Sequence, residues 1–136
     1  MKKPRRSSLP DTSTILRYLL RDQEDLYTRA AAFFEEVLTG EETATILESV
    51  LVECVYVLMK FYKVPRAEAA GILIRLLGYK GIVNEDVREL TESLSMFADS
   101  TMDIVGCLLA IKAKNYNLSL FSFDKKLAAK RKQPAA

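Results

Sequence analysis

The sequence predicts an α/β fold, a three-layer sandwich with helices on both faces of a mainly parallel central sheet. Three observations point there. Short apolar runs of strand length alternate with amphipathic helical patterns along the whole chain, as strand–helix–strand units require. The length, 136 residues, suits one domain with a single core and is too short for two. Acidic residues also recur just beyond strand candidates, where open α/β sheets bind their ligands.

The domain is expected over residues 9–129. A basic segment, 1–8, precedes it with Lys2, Lys3, Arg5 and Arg6, and a basic tail, 130–136, follows with Lys130, Arg131 and Lys132. Such tails are usually solvated, although they also attract phosphates. The first strand falls near residues 7–10 and is weak, because Pro10 has no N–H for a central ladder. Asp11-Thr12-Ser13 then leads into a helix bearing Ile15, Leu16, Tyr18, Leu19 and Leu20. Asp11 fits two roles, helix N-cap and catalytic carboxylate, and local sequence alone favours the cap. Residues 22–39 make a second helix, which Gly40 ends.

A β-rich stretch at 43–47 precedes the helix 50–62. Between positions 50 and 59 every residue except Glu53 is apolar or aromatic. That pattern predicts a nearly buried helix, where a lone carboxylate must find a cation or a metal. After Pro65 comes a helix through Ala69, Ala70, Ile72, Leu73, Leu76 and Leu77, then a minimal strand at 81–83. A further helix starts near Glu85 and carries Val87, Leu90, Leu94 and Phe97. Asp103 opens the next one, on which Ile104, Val105, Leu108, Leu109 and Ile111 fall at helical spacing and Lys112 and Lys114 suit the negative end. Leu118, Leu120, Phe121 and Phe123 predict a buried last strand, closed by Asp124.

Composition excludes several chemistries. With no histidine, the chain has no imidazole acid–base, no Ser-His-Asp or Cys-His nucleophile system and no histidine zinc motif. Cys54 and Cys107 sit singly in apolar helical patterns, which suits reduced core thiols, no disulfide and a cytoplasmic setting. No apolar run has the length of a membrane span.

The chemistry is left to carboxylates. Asp11, Glu53, Asp103 and Asp124 can converge on one edge of the sheet if the crossovers are right-handed. Such a cluster needs cations, and Mg²⁺ or Mn²⁺ prefers carboxylate oxygens. Metal-assisted phosphodiester hydrolysis fits, since a divalent cation activates water and stabilises phosphate charge without histidine. A phosphoacceptor receiver domain also gathers acids at strand ends. It would need paired acids near the first strand and an acceptor aspartate mid-chain, where this chain has the helical Glu53.

Four stretches taken together resemble the PIN-domain ribonucleases, in particular the VapC-like toxins of toxin–antitoxin systems. They are Asp11-Thr12-Ser13 with the helix behind it, Val50 to Leu58 around Glu53, Asp103-Ile104-Val105-Gly106-Cys107-Leu108, and Ser122-Phe123-Asp124-Lys125-Lys126-Leu127. The resemblance spans residues 9–127. It implies a PIN-like sandwich, a divalent metal held by Asp11, Glu53, Asp103 and Asp124 with Ser13 and Ser122 behind them, an RNA substrate, a VapB-like antitoxin partner and a homodimer. Apolar helices near the N-terminus, on the side of Phe33 and Phe34, are the expected partner surface. The family carries a second aspartate where this chain has Gly106. The resemblance therefore also allows a catalytically impaired PIN domain that binds antitoxin or RNA.

Overall fold

Apolar spacing of three and four residues produces a helix wherever the sequence predicts one. The computed structural model describes residues 7–130, and the basic stretches expected at 1–6 and 131–136 lie outside the described residues. In chain order the helices are α1 (Thr12–Leu20), α2 (Glu24–Thr39), α3 (Glu48–Lys60), α4 (Arg66–Leu77), α5 (Val87–Ala98), α6 (Ile104–Asn115) and a short α7 (Lys125–Lys130). The last of these follows Asp124, where the sequence predicts no helix.

Helix ends follow local chemistry. Gly40 terminates α2 at φ 90°, in the left-handed region where glycine avoids the Cβ penalty. At the end of α6, Asn117 takes φ 53° and the Leu118 N–H reaches back to the Ala113 carbonyl at 2.9 Å. This is the Schellman arrangement, with asparagine in the glycine position.

The expected central sheet is reduced to single parallel bridges, Ser8 to Ala44 and Ala44 to Ile82. Ser8 and Thr43 to Thr45 exchange backbone bonds of 3.0 and 2.9 Å, and Ala44 makes two more, with Gly81 and Val83. Three of the four strand candidates therefore lie side by side in parallel, but among the described residues none extends into a strand. Pro10 supplies no donor beyond the first bridge. On the other side the Asn84 side chain takes over: its Oδ1 accepts from the Ile46 amide at 2.8 Å and its Nδ2 donates to the Ile46 carbonyl. A side-chain amide thus ends the ladder where a third backbone pair would have continued it. Gly81 fits this crossing because a Cβ there would stand 2.1 Å from the Glu42 carbonyl oxygen and 2.7 Å from that of Val37.

The fourth strand candidate, 118–123, does not form. Leu120 alone is buried, while Leu118, Phe121 and Phe123 are exposed. With the left-handed Asn117 turning the chain off α6, this segment pairs with no ladder among the described residues.

The core lies among the helices. Ile15, Phe34, Val37, Ile46, Leu51, Leu58, Leu73, Leu76, Leu90, Leu94 and Ile104 are almost wholly shielded from solvent. Each such side chain contributes about 1.5–3 kcal/mol of burial free energy. α4 packs on α5, α5 on α6 and α1 on α2, while α3 touches both α1 and α6, and α7 rests on α6. Cys54 and Cys107 are buried free thiols. No helix among the described residues is long and apolar enough to cross a membrane. Phe34 is fully buried and stacks on Tyr18 at 4.7 Å, with Phe33 edge-on to it at 5.1 Å. That pair belongs to the core, which corrects the expectation of a partner-facing aromatic side at Phe34.

Candidate functional site

Each predicted aspartate stands at the start of a helix, and the helix explains its first hydrogen bonds. Asp11 Oδ1 accepts from the Thr14 amide at 2.9 Å, the Thr14 hydroxyl at 2.8 Å and the Ser13 hydroxyl at 3.0 Å. These donors, the Thr14 amide first, hold its carboxyl below the ordinary 3.8. Asp103 Oδ1 accepts from the Gly106 amide at 2.8 Å and caps α6. Asp124 Oδ1 accepts from the amides of Lys126 and Leu127 at 2.9 and 3.1 Å and starts α7. Ser122 accepts from the Asp124 amide at 3.0 Å, which orients the acid. All three carboxylates are exposed, and among the described residues Oδ2 of each carries no hydrogen bond.

Glu53 departs from expectation. It is exposed rather than embedded, and it has no hydrogen-bond or ion-pair partner among the described residues. The physical reason is that the solvent face of α3 runs from Ser49 through Glu53 to Lys60, so its other polar members lie just outside the apolar window. Tyr56 fills the gap on this face, its ring 5.3 Å beneath the Lys60 ammonium.

Of the four acids expected at one edge, two share a cleft. Asp103 and Asp124 face one cleft of about 570 Å³, lined also by Thr101, Met102, Gly106, Lys125 and Lys126. Asp11 and Glu53 do not line it. The buried Cys54 thiol is pushed up to about 12, by desolvation first and then by the negative charges of Glu53 and Asp11. α1 and α6 both pack on α3. Arg66 fixes the approach to α6: its guanidinium lies 4.1 Å from the Phe97 ring centroid and donates to the carbonyls of Phe97 and Met102, the residue before Asp103.

Gly106 opens into the same cleft. A Cβ there would meet Asp103 Oδ1 at 3.3 Å and Met102 Cε at 3.6 Å, so a side chain at this position would project beside the Asp103 carboxylate.

A second acidic group escaped the sequence reading. Oxygens of Glu48, Asp86 and Glu89 lie within 4.8 Å of one another. Glu89 is only 5% exposed and its Oε1 has no hydrogen-bond partner. Lys112 pairs with Glu89 Oε2 and, at 3.1 Å, with Glu48 Oε1. The Glu89 bond raises the Lys112 ammonium well above its ordinary range, against the opposing effect of desolvation. A signal for Glu89 was present, because Glu89, Ser93 and Phe97 repeat every four residues on the buried stripe of α5.

The family model described as PIN domain matches residues 8–133. A VapC ribonuclease from Aquifex aeolicus (strain VF5) is 28% identical over 131 residues, covering 93% of this chain and 96% of the relative. No solved structure matches.

Proposed function

The chain belongs to the PIN domain family, and on that footing we propose that it is a divalent-metal-dependent endoribonuclease, the VapC-like toxin of a toxin–antitoxin system, hydrolysing RNA phosphodiester bonds in the cytoplasm. The observation that carries the reading is the cleft that Asp103 and Asp124 both line, with Lys125 and Lys126 on its wall. The similarity to a VapC ribonuclease supports the RNA substrate and a VapB-like antitoxin as partner.

The donor set fits Mg²⁺ or Mn²⁺. Asp11, Asp103 and Asp124 each commit Oδ1 to a helix start and keep Oδ2 free, and Glu53 keeps both oxygens free, so the available ligands are hard carboxylate oxygens. When bound, the cation supplies charge neutralisation at the phosphate and acidifies a water. The residues do the rest. Helix-start amides fix the rotamers of the three aspartates, so little reorganisation is needed on binding. Ser13 and Ser122 hold Asp11 and the Asp124 backbone from behind. Lys125 and Lys126 draw the phosphate backbone to the cleft. Met102, Val105 and Leu109 give it an apolar side.

Gly106 favours a second reading, a catalytically impaired domain that binds antitoxin or RNA. The geometry at Gly106 sets the test, because an aspartate there would project beside Asp103 into the cleft. Calorimetric Mn²⁺ titration and RNA cleavage are compared for the natural chain and Gly106→Asp, with Asp11→Ala as blank. We expect weak metal binding and slow cleavage in the natural chain, both improved about tenfold or more by Gly106→Asp. Metal-dependent cleavage that Gly106→Asp leaves unchanged removes the impaired reading, and absence of metal binding in both forms removes the nuclease reading.

A further inference from the structure

Phe121 and Phe123 are the most exposed large apolar side chains among the described residues, at 81% and 93%. Their rings meet edge to face, with centroids 5.5 Å apart and planes at 88°. An edge-to-face pair leaves a broad ring face open on each partner. The next residue is Asp124, then Lys125 and Lys126, and these three line the cleft that also holds Asp103. Lys126 donates to the Thr101 hydroxyl at 2.7 Å, while Lys125 has no partner among the described residues. Within six residues the chain therefore presents two flat apolar faces, a cleft-facing carboxylate and two ammonium groups.

We propose that Phe121 and Phe123 form a base-stacking platform for single-stranded RNA, with the adjoining phosphates held by Lys125 and Lys126 so that the backbone is led into the Asp103–Asp124 cleft. The idea rests on the nuclease reading for its location, but binding does not depend on cleavage. Charge complementarity selects the occupant. A protein segment seated on the rings would need acids or backbone groups to meet the lysines, whereas unpaired RNA brings a π-face and an anion in every nucleotide. Duplex RNA hides its base faces and offers the lysines only its backbone. The platform therefore selects unpaired over paired substrate without reading sequence.

The test is fluorescence anisotropy in EDTA with a labelled unstructured RNA, the same length of duplex RNA and a single-stranded oligonucleotide with abasic sites. Phe123→Ala should weaken binding of the unpaired RNA by roughly five- to hundredfold, the range of one lost base stack. Duplex and abasic binding should hardly change, and Phe123→Trp should keep the natural affinity. Lys125→Ala should weaken all three ligands and flatten the salt dependence. Equal losses on unpaired, duplex and abasic ligands, or no loss on any, overturn the platform. A Phe123→Ala chain that keeps its RNA affinity but no longer binds the partner antitoxin overturns it in favour of a protein interface. Intact stacking in a chain that never cleaves RNA leaves the platform standing and removes the nuclease reading alone.

Discussion

At the Glu48–Asp86–Glu89 cluster the cation is built into the chain as Lys112; at the Asp103–Asp124 cleft no side-chain cation pairs with either carboxylate among the described residues. Burial differs in the same sense. Glu89 is 5% exposed and would be strongly unstable without its ammonium, whereas the cleft aspartates are exposed and lean on backbone amides. Acidic groups are thus of two kinds. A group neutralised from within locks helices together, here α3, α5 and α6, while a group left open to solvent keeps oxygens available to an incoming cation.

The comparison breaks most sharply at Lys112. Lys112→Met should lower unfolding free energy by about 2–4 kcal/mol, somewhat less than for a fully enclosed pair because water reaches the lysine. Urea denaturation measures it. Millimolar Mn²⁺ should restore part of the loss, since three carboxylates freed of their ammonium become a cation site. A loss below about 0.5 kcal/mol, in the range of exposed pairs, means that Lys112 is not what holds these acids together.

Asp103 sharpens the other side. Asp103→Ala should cost about 1 kcal/mol through the lost N-cap of α6, and Asp103→Asn only a few tenths, because asparagine caps as well. Both should abolish the Mn²⁺ response in calorimetry. An asparagine variant that binds Mn²⁺ like the natural chain would show that Asp103 caps and does nothing more.

The smallest effect is in pH. Asp11 has a lowered carboxyl pKa, so its stabilisation is present above the unfolded value of 3.8 and is lost as pH falls through the lowered folded value. Lys112 has a raised pKa, so its contribution is complete below its unfolded 10.5 and is lost only as pH climbs beyond it into the alkaline range. The stability advantage of the natural chain over Asp11→Asn should therefore vanish in acid, and its advantage over Lys112→Met should shrink only as pH climbs above 10.5. Losses at the same end of the pH range for both variants would remove the distinction.

How far the sequence was legible follows the same physics. Helices announced themselves because the apolar period is local, and the Asp11 and Asp103 caps because the capping bond closes within three residues. Strand extent was not legible: nothing at Ile46 signals that the Asn84 side chain, far along the chain, would take its amide and carbonyl. Glu53 was misread because Tyr56 occupies a solvent-facing position that looked apolar. α7 was missed although Asp124 before Lys-Lys-Leu-Ala-Ala is a cap followed by good helix formers. The apolar run before it suggested a buried strand, yet a hydrophobic pattern alone does not say what covers it.

The Asn84 clamp has a consequence for the order of folding. It joins residues 38 positions apart, the same separation that the Ser7 and Thr45 hydroxyls bridge. The α1–α2 and α4–α5 hairpins close between sequence neighbours and can condense early, whereas loop-closure entropy delays contacts of such long reach. The acids ride on α1, α3, α6 and α7, and the packing of α3 on α1 and on α6 is also non-local. Asn84→Ala should accordingly speed unfolding and leave the refolding rate nearly unchanged, a φ-value near zero. The helix hairpins would then stand before the surface that carries these acids is assembled, and a newly made chain would be structured for a time while that surface is still incomplete.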